Sequence, residues 1–382
     1  MYRGIKIRIY PNSEQKELLN TNIDVYRSSF NIALGIQLDN YKSGNSYIKF
    51  YEMCKIMSNL RNSDCNYKWL RSVSVGVIRQ SLLDLDTAFK MFFNKINRFP
   101  RFKSKKHSKK MFTTRSDRCY SKGDYIYISG IGMIYCKNNK IPEGVRLRNT
   151  HISFDGYDKY YFSCTIDRAP KEVESLSGIV GIDVGIRNMI TTSDGEFYHF
   201  SDTSKYEKRL KRQQRRLSKY HKRYLNESIR TKTKYEDIPK SKNMQKKAKA
   251  LFKTYQKIKN KRHNDMNTAT KRIVDKNPEI IVIETLDAMR MVKSMHKSYK
   301  PLVYFAEIHR QLAYKAEERG ITIIRADKGY PSTQMCSRCG NRRKVYDHLY
   351  RCNHCGLRID RDLNAAYNLK NFGIFAISKD IA

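Results

Sequence analysis

The sequence predicts a multidomain α+β protein. Three patterns point that way: short alternating runs interrupted early by a long helical stretch, apolar runs that alternate with helices later, and a four-cysteine cluster after residue 330. The first pattern is that of a small antiparallel barrel carrying a helical insertion. The second is that of a sheet covered on both faces. The third is that of a zinc ribbon, held by its metal rather than by a large core.

At 382 residues the chain has room for two or three domains and a sizeable core. Its net charge of +39 limits the partners. Self-repulsion of that size is relieved by a polyanion, and the basic residues recur along the whole chain, so an extended nucleic-acid footprint is expected. An acidic membrane surface is the rival. No apolar run reaches the roughly 18 residues that a membrane span needs, and no signal peptide opens the chain, so a soluble, cytoplasmic protein without a membrane partner is expected. Cys54, Cys65, Cys119, Cys136 and Cys164 are scattered singly, as small hydrophobes are in a reducing compartment.

Taken in order, residues 2–10 alternate basic and apolar side chains and read as a half-buried strand that Pro11 ends. Asn12 or Ser13 can cap a helix whose apolar positions are Leu18, Leu19, Ile23, Tyr26, Phe30, Ala33 and Ile36. Further helices are expected from about Tyr47 to Leu60 and from about Val73 to Asn97, the latter with a stripe of Val77, Leu82, Leu85, Ala88, Phe89 and Phe92. A basic loop follows, from Asn97 to Lys110. In it Phe99 can stack on a base while Arg101 and Lys103 neutralise phosphates; the alternative is a solvated charged loop. From Met111 to about Asp167 the runs alternate again, as in Tyr125–Ile128 and Tyr160–Ile166, and complete the barrel.

Past a charged linker near Ala169–Ser175 the character changes. Gly178–Gly185 is an apolar run with one carboxylate, Asp183, near its end, and reads as a buried strand. Burying an acid costs several kcal/mol unless something compensates it, and a divalent cation is a common compensation. A hairpin around Ser193-Asp194-Gly195 follows, then a long basic helical stretch, 201–276, with Tyr206, Leu210, Leu217, Tyr220 and Tyr224 on one side. That stretch is either a solvated hairpin or a track for phosphates. Glu279–Glu284 is a second apolar strand ending in an acid. A helix after Pro301, with Tyr304, Ile308, Leu312 and Ala316 as its stripe, leads to a third buried strand at Ile321–Ala326.

Cys336 and Cys339 form one Cys-x-x-Cys knuckle, twelve residues separate it from the Cys352/Cys355 knuckle, and Gly340 and Gly356 follow them. Two thiolates three positions apart reach one tetrahedral ion from a tight turn, and the glycine supplies the positive φ the turn needs, so one zinc ion is expected. Four free or redox cysteines are the alternative. Asp362 then opens a last helix. If Asp183, Glu284 and Asp362 meet at the rim of one sheet they can hold two magnesium ions for phosphodiester hydrolysis; sequence order alone does not bring them together.

The succession Gly-Ile-Asp183-Val-Gly, Ile-Glu284-Thr-Leu, the two knuckles, and Asp360-Arg-Asp362-Leu-Asn-Ala-Ala resembles the TnpB (OrfB) proteins of insertion-sequence transposons. So do the opening Ile-Tyr-Pro-Asn-Ser-Glu-Gln, Asp84-Leu-Asp-x-Ala-Phe, Arg98-Phe-Pro-Arg-Phe-Lys-Ser-Lys and Tyr330-Pro-Ser-x-x-Cys. These proteins are known as transposases and understood as RNA-guided DNA endonucleases, ancestral to type V CRISPR effectors. The resemblance implies a β-barrel wedge domain (1–11 and 98–172) with an inserted helical recognition bundle (12–97). It further implies a ribonuclease H-like (RuvC) α/β nuclease domain (173–330, with the basic insertion 201–276, and 358–382) with an inserted zinc ribbon (331–357) that binds target nucleic acid.

By the same resemblance Asp183, Glu284 and Asp362 are the catalytic, magnesium-binding acids, with Asp360 in a secondary role. Arg79, Gln80, Thr113 and Thr114 become candidates for reading a short motif beside the target. The implied partners are a guide RNA from the transposon end and double-stranded target DNA, one protein monomer per RNA, with the nucleoid as the place of action. Target choice then lies in the RNA. Other readings are a nuclease-inactive RNA-guided repressor on the same scaffold, a miniature type V CRISPR effector, a DNA-only transposase, and a sugar-kinase or actin-like ATPase. The last leaves the zinc ribbon and the cationic helices unexplained.

Overall fold

The structure is a computed structural model that describes all residues except 1, 107, 170–172, 174, 236–237, 286–299, 346 and 381–382, and the side chains of all of these but 300–303 and 379–380. The linker expected near 169–175 lies mostly outside the described residues. The chain forms two compact units, Met1–Ala169 and Pro170–Ala382.

In the first unit, strand β1 (Tyr2–Ile9) exposes Lys6 and Arg8 and buries Ile7 and Ile9, as the alternation requires. Asn12 caps helix α1 (Ser13–Lys42): its side chain accepts from the Gln15 N–H at 2.8 Å, and the Gln15 side chain accepts from the Asn12 N–H at 3.1 Å. Leu18, expected in the buried stripe, is 39% exposed; the stripe runs through Leu19, Ile23, Tyr26 and Phe30 instead. Helix α2 spans Phe50–Ser63 and α3 Val75–Phe93. The latter stops short of Asn97 because Asn94 caps it and Lys95 turns to φ 59°. Between them Cys65–Ser72 forms a 3-10 helix that periodicity did not announce.

The expected closed barrel is not formed among the described residues. The strands make two antiparallel sheets, a four-stranded one in the order β1-β7-β6-β2 and a three-stranded one in the order β3-β4-β5. Here β2 is Met111–Thr113, β3 Cys119–Lys122, β4 Tyr125–Ile128, β5 Gly132–Tyr135, β6 Leu147–Phe154 and β7 Tyr160–Asp167. A single bridge, Tyr10 to Tyr135, links β5 to the residue after β1. The physical reason is the inserted helix. Leu19, Ile23 and Phe30 of α1 share one core with Ile9, Ile134 and Phe162, so α1 covers apolar faces that closure of the strands would otherwise have buried.

In the second unit a five-stranded sheet runs β10-β9-β8-β11-β12. Strands β8 (Ile179–Asp183), β11 (Ile280–Glu284) and β12 (Thr322–Ala326) are parallel, while β9 (Ile190–Thr192) and β10 (Phe197–Tyr198) complete an antiparallel meander with β8. β12, expected to be buried, is an edge strand with Thr322 and Arg325 exposed. Helices α5 (Lys242–Asp275) and α6 (Lys300–Glu317) cover one face, where Met266, Ile273, Ile308 and Leu312 pack on Ile182, Ile281 and Ile283. Helix α7 (Arg361–Asp380) covers the other through Leu369. It lies so close that a Cβ on Gly181 would stand 2.1 Å from the Ala366 carbonyl oxygen, and one on Gly373 would stand 2.4 Å from Val282. Helix α4 (Ser204–Thr231) has no fully buried residue and lies along α5. A two-stranded sheet, β13 (Leu349–Arg351) and β14 (Arg358–Asp360), carries the second knuckle. No helix among the described residues is long and apolar enough to cross a membrane.

Candidate active site

Asp183 ends β8 and Glu284 ends β11, and these strands are parallel neighbours in which Ile182 pairs with Ile283. The next position along each strand is therefore the acid, and both acids stand at one rim of the sheet. Alternation fixes their face. Gly181 and Val282 abut α7, so Asp183 and Glu284, two residues on, point to the side that α7 covers. Asp362 sits in the first turn of α7. Asp360 is that helix's cap: its Oδ1 accepts from the N–H groups of Asp362 at 2.9 Å and of Leu363 at 3.2 Å.

The structure thus brings together the three acids that sequence order could not. Asp183 and Asp362 are 6% and 7% exposed. Burial pushes the Asp183 carboxyl well above the usual range, and the charges of Glu284 and Asp362 push it further, with the Arg361 guanidinium opposing them. Burial also raises Glu284, while a hydrogen bond from the Ser332 hydroxyl holds it down. Asn188 Nδ2 donates to Asp362 Oδ2 at 3.0 Å, and Arg361 lies 3.3 Å from Oδ1. The turn that delivers Asn188 is tight: a Cβ on Gly185 would lie 2.8 Å from the Asn188 carbonyl oxygen.

Sequence reasoning missed Asn188, Ser332, Asn364 and Asn368. Asn368 Nδ2 donates to the carbonyls of Ser332 and Met335, both at 2.6 Å, and Asn364 Nδ2 donates to Met335 at 2.7 Å. Both asparagines are essentially buried and tie α7 to the segment that runs from Ser332 into the first knuckle. The signal was present as two asparagines four apart on one helical face, beside alanines.

The sulfurs of Cys336, Cys339, Cys352 and Cys355 lie within 4.8 Å of one another, and among the described residues no other His, Cys, Asp or Glu group is as tight. Cys336 to Cys355 and Cys339 to Cys352 are each 3.6 Å between sulfurs. A tetrahedral zinc ion with bonds of about 2.3 Å separates its sulfurs by about 3.8 Å, so the cluster fits a structural zinc. Gly340 and Gly356 take φ 75° and 71°, the left-handed turn expected after each knuckle. The backbone N–H of Cys355, aimed at the Cys352 sulfur at 3.5 Å, helps hold that thiol down to about 6, toward the thiolate a metal needs.

The nucleic-acid candidates divide. Arg79 is exposed, its guanidinium 5.7 Å from the Phe50 ring centroid, and with Gln80 it lines a groove of about 1030 Å³ beside Tyr47, Tyr51 and Arg115. Arg101 is exposed. Phe99 is 42% exposed and packs edge-on against Phe89 and Phe92. Lys103, Thr113 and Thr114 face inward instead. The Lys103 ammonium lies 3.5 Å from the Phe30 ring centroid, and burial lowers its pKa. The Thr113 hydroxyl is engaged by Tyr26 and His151, and Thr114 is tied to Thr150 through its backbone. The apolar groups around Lys103 and the buried hydroxyl network were not visible from a loop's composition.

Three family models match the chain. Residues 1–46 match one described as a helix-turn-helix domain, 161–295 one described as a probable transposase, both of the OrfB/IS605 kind, and 305–369 one described as a Cas12f1-like TNB domain. In this structure residues 1–46 are one strand and one long helix. The chain is 28% identical over 389 aligned residues to "Putative RNA-guided DNA endonuclease InsQ" of Escherichia coli K12, covering 96% of this chain and 91% of that one. It is 25% identical to a Streptomyces pristinaespiralis protein of the same name without the symbol, covering 98% and 90%. Over 68 residues it is 37% identical to the CRISPR-associated endodeoxyribonuclease Cas12f1 of Sulfoacidibacillus thermotolerans, covering 17% of this chain and 16% of that one.

Proposed function

We propose that the chain is a member of the TnpB (OrfB) family, related to type V effectors, and an RNA-guided DNA endonuclease that hydrolyses phosphodiesters of target DNA beside a short adjacent motif. The observation that carries this reading is the convergence of Asp183, Glu284 and Asp362 at one rim of the second unit's sheet, in a chain of net charge +39. A buried carboxylate, Asp183, raised by burial and by the charges of Glu284 and Asp362 and opposed by Arg361, forms with those two acids a donor set suited to divalent cations. Asp183, Glu284 and Asp362 would hold two magnesium ions, which when bound activate a water and stabilise the leaving oxygen. Asn188 orients Asp362, Ser332 orients Glu284, and α7 excludes bulk water from the face beneath them.

In this reading residues 1–11 and 98–172 form the wedge and 12–97 the recognition bundle. Residues 173–330 and 358–382 form the RuvC-like domain, and 331–357 the zinc ribbon. Three antiparallel strands followed by two parallel ones, with helices on both faces, support the ribonuclease H-like assignment. The groove at Arg79 and Gln80 is the candidate for the adjacent motif, and α4 presents a row of Lys208, Arg212, Arg215, Lys219 and Lys222 suited to a phosphate backbone. The guide would be a transposon-end transcript, one protein monomer per RNA, acting at the nucleoid.

The test is magnesium-dependent cleavage of a matched DNA by protein co-purified with its RNA, with Asp183→Ala beside it. Guide-directed cutting that disappears in the variant while DNA binding persists supports the reading. Binding without cutting by the unaltered chain points to a repressor, and binding that ignores the RNA overturns the family mechanism.

A further inference from the structure

Three consecutive hydroxyl residues, Thr191, Thr192 and Ser193, run along β9 and its turn, all nearly fully buried. Two of them are satisfied by the protein: Thr192 Oγ1 accepts from the Glu196 N–H at 3.3 Å and Ser193 Oγ from the Gly181 N–H at 3.1 Å. Thr191 is 1% exposed, and its Oγ1 is buried with no hydrogen-bond partner among the described residues. Its position is specific. Thr191 is the antiparallel register partner of Asp183, and register partners share a face with their Cβ atoms about 4.5–5.5 Å apart. Thr192 pairs with Ile182 and faces the core on the opposite side, and Ser193 is engaged by Gly181, which leaves Thr191 as the member of the trio whose unpartnered hydroxyl shares the carboxylate side.

A buried hydroxyl without a partner destabilises a fold, and valine would fill nearly the same volume without that penalty. We infer that Thr191 is a positioning residue whose hydroxyl bonds a water in the hydration shell of the divalent cation held by Asp183. Magnesium keeps several waters when carboxylates bind it, so a donor and acceptor beside the acid fixes where one of them sits. This rests on the reading of the three acids as a cation site.

The test uses the purified, zinc-loaded, RNA-free full chain with Mn²⁺ alone as the probe, followed by calorimetry and thermal melting. Thr191→Val is expected to melt without Mn²⁺ at or above the temperature of the unaltered chain and to bind Mn²⁺ about fivefold or more weakly, with Thr191→Ser within about twofold of the original. Thr191→Ala carries the same expectation on affinity and serves if the valine variant does not fold. Unchanged Mn²⁺ affinity in the hydroxyl-free variants overturns the inference. So does a clearly lower melting point of Thr191→Val without Mn²⁺, which would mean that the hydroxyl has a partner within the protein. If the unaltered chain binds Mn²⁺ no better than Asp183→Asn does, the cation-site reading itself fails.

Discussion

The cysteine cluster and the carboxylate trio are both candidate metal centres of the second unit, and they are assembled in opposite ways. The cysteines come from a stretch of twenty residues and meet because two tight turns and one short hairpin aim them at a common point. The acids come from positions about 180 residues apart and meet because two parallel strands end side by side under a helix that glycines let down onto the sheet. The first centre is local and tied together by sulfur. The second is a product of topology, and the charges of Glu284 and Asp362 bear unfavourably on Asp183. A local centre is lost by removing any one ligand, whereas a topological one is lost by disturbing whatever holds its elements in register.

The largest expected effect tests the local side. Cys352→Ser should abolish stoichiometric zinc, read by elemental analysis, because structural zinc in small modules supplies about 10–16 kcal/mol of apparent binding energy. Since β14 ends at Asp360, the cap of α7, cleavage should fall at least about tenfold as well, although none of the three candidate acids has been touched. If cutting survives zinc loss intact, the two centres are independent of each other.

Next comes the trio's own repulsion. Asp183→Asn should lower cleavage by about 10²-fold or more, yet the metal-free variant should melt higher than the original by about 2 °C or more. A raised carboxyl pKa means the native state binds the proton more tightly than the unfolded chain does. Stability without metal should therefore fall as pH rises from the ordinary carboxylate value near about 4 up through the raised native value. Melting curves across that window, with and without Mg²⁺, check the sign: the decline should be present in the metal-free original, smaller in Asp183→Asn, and suppressed by Mg²⁺. A smaller effect is expected from Asn188→Ala, which removes the 3.0 Å hydrogen bond to Asp362: about 1–2 kcal/mol of stability and a several-fold loss of cleavage. The smallest belongs to the first unit, where Arg79→Ala should weaken DNA binding by severalfold in a gel-shift titration while leaving metal affinity unchanged.

How much of this was legible in the sequence follows the same division. The knuckles, their glycines and the strand-ending acids could be read directly, because each is a short pattern whose chemistry is local. Helix α1 was legible to its cap, but Leu18 was not separable from Leu19 by period alone; only packing against β1 and α3 decides which side of the stripe is inside. The closed barrel was overpredicted because alternation reveals a covered face and not what covers it. β12 read as buried since its isoleucines say nothing of whether another strand lies beyond. Lys103 and Thr113 looked like contacts because a basic loop and a polar pair normally face water, and the ring of Phe30 and the hydroxyl of Tyr26 lie far away in sequence. Thr191 was invisible altogether, since an orphaned hydroxyl exists only once its neighbours have been placed.

The close seating of α7 on Gly181 bears on biosynthesis. Asp362 is the last of the three acids to be made, after both knuckles, and it reaches the sheet only when Ala366 and Leu369 have docked. A chain still on the ribosome, or cut short before residue 361, carries two acids and an uncovered apolar face at Ile280 and Val282. Such a product cannot bring the third carboxylate to the other two, and its exposed apolar surface makes it a natural target for proteolysis.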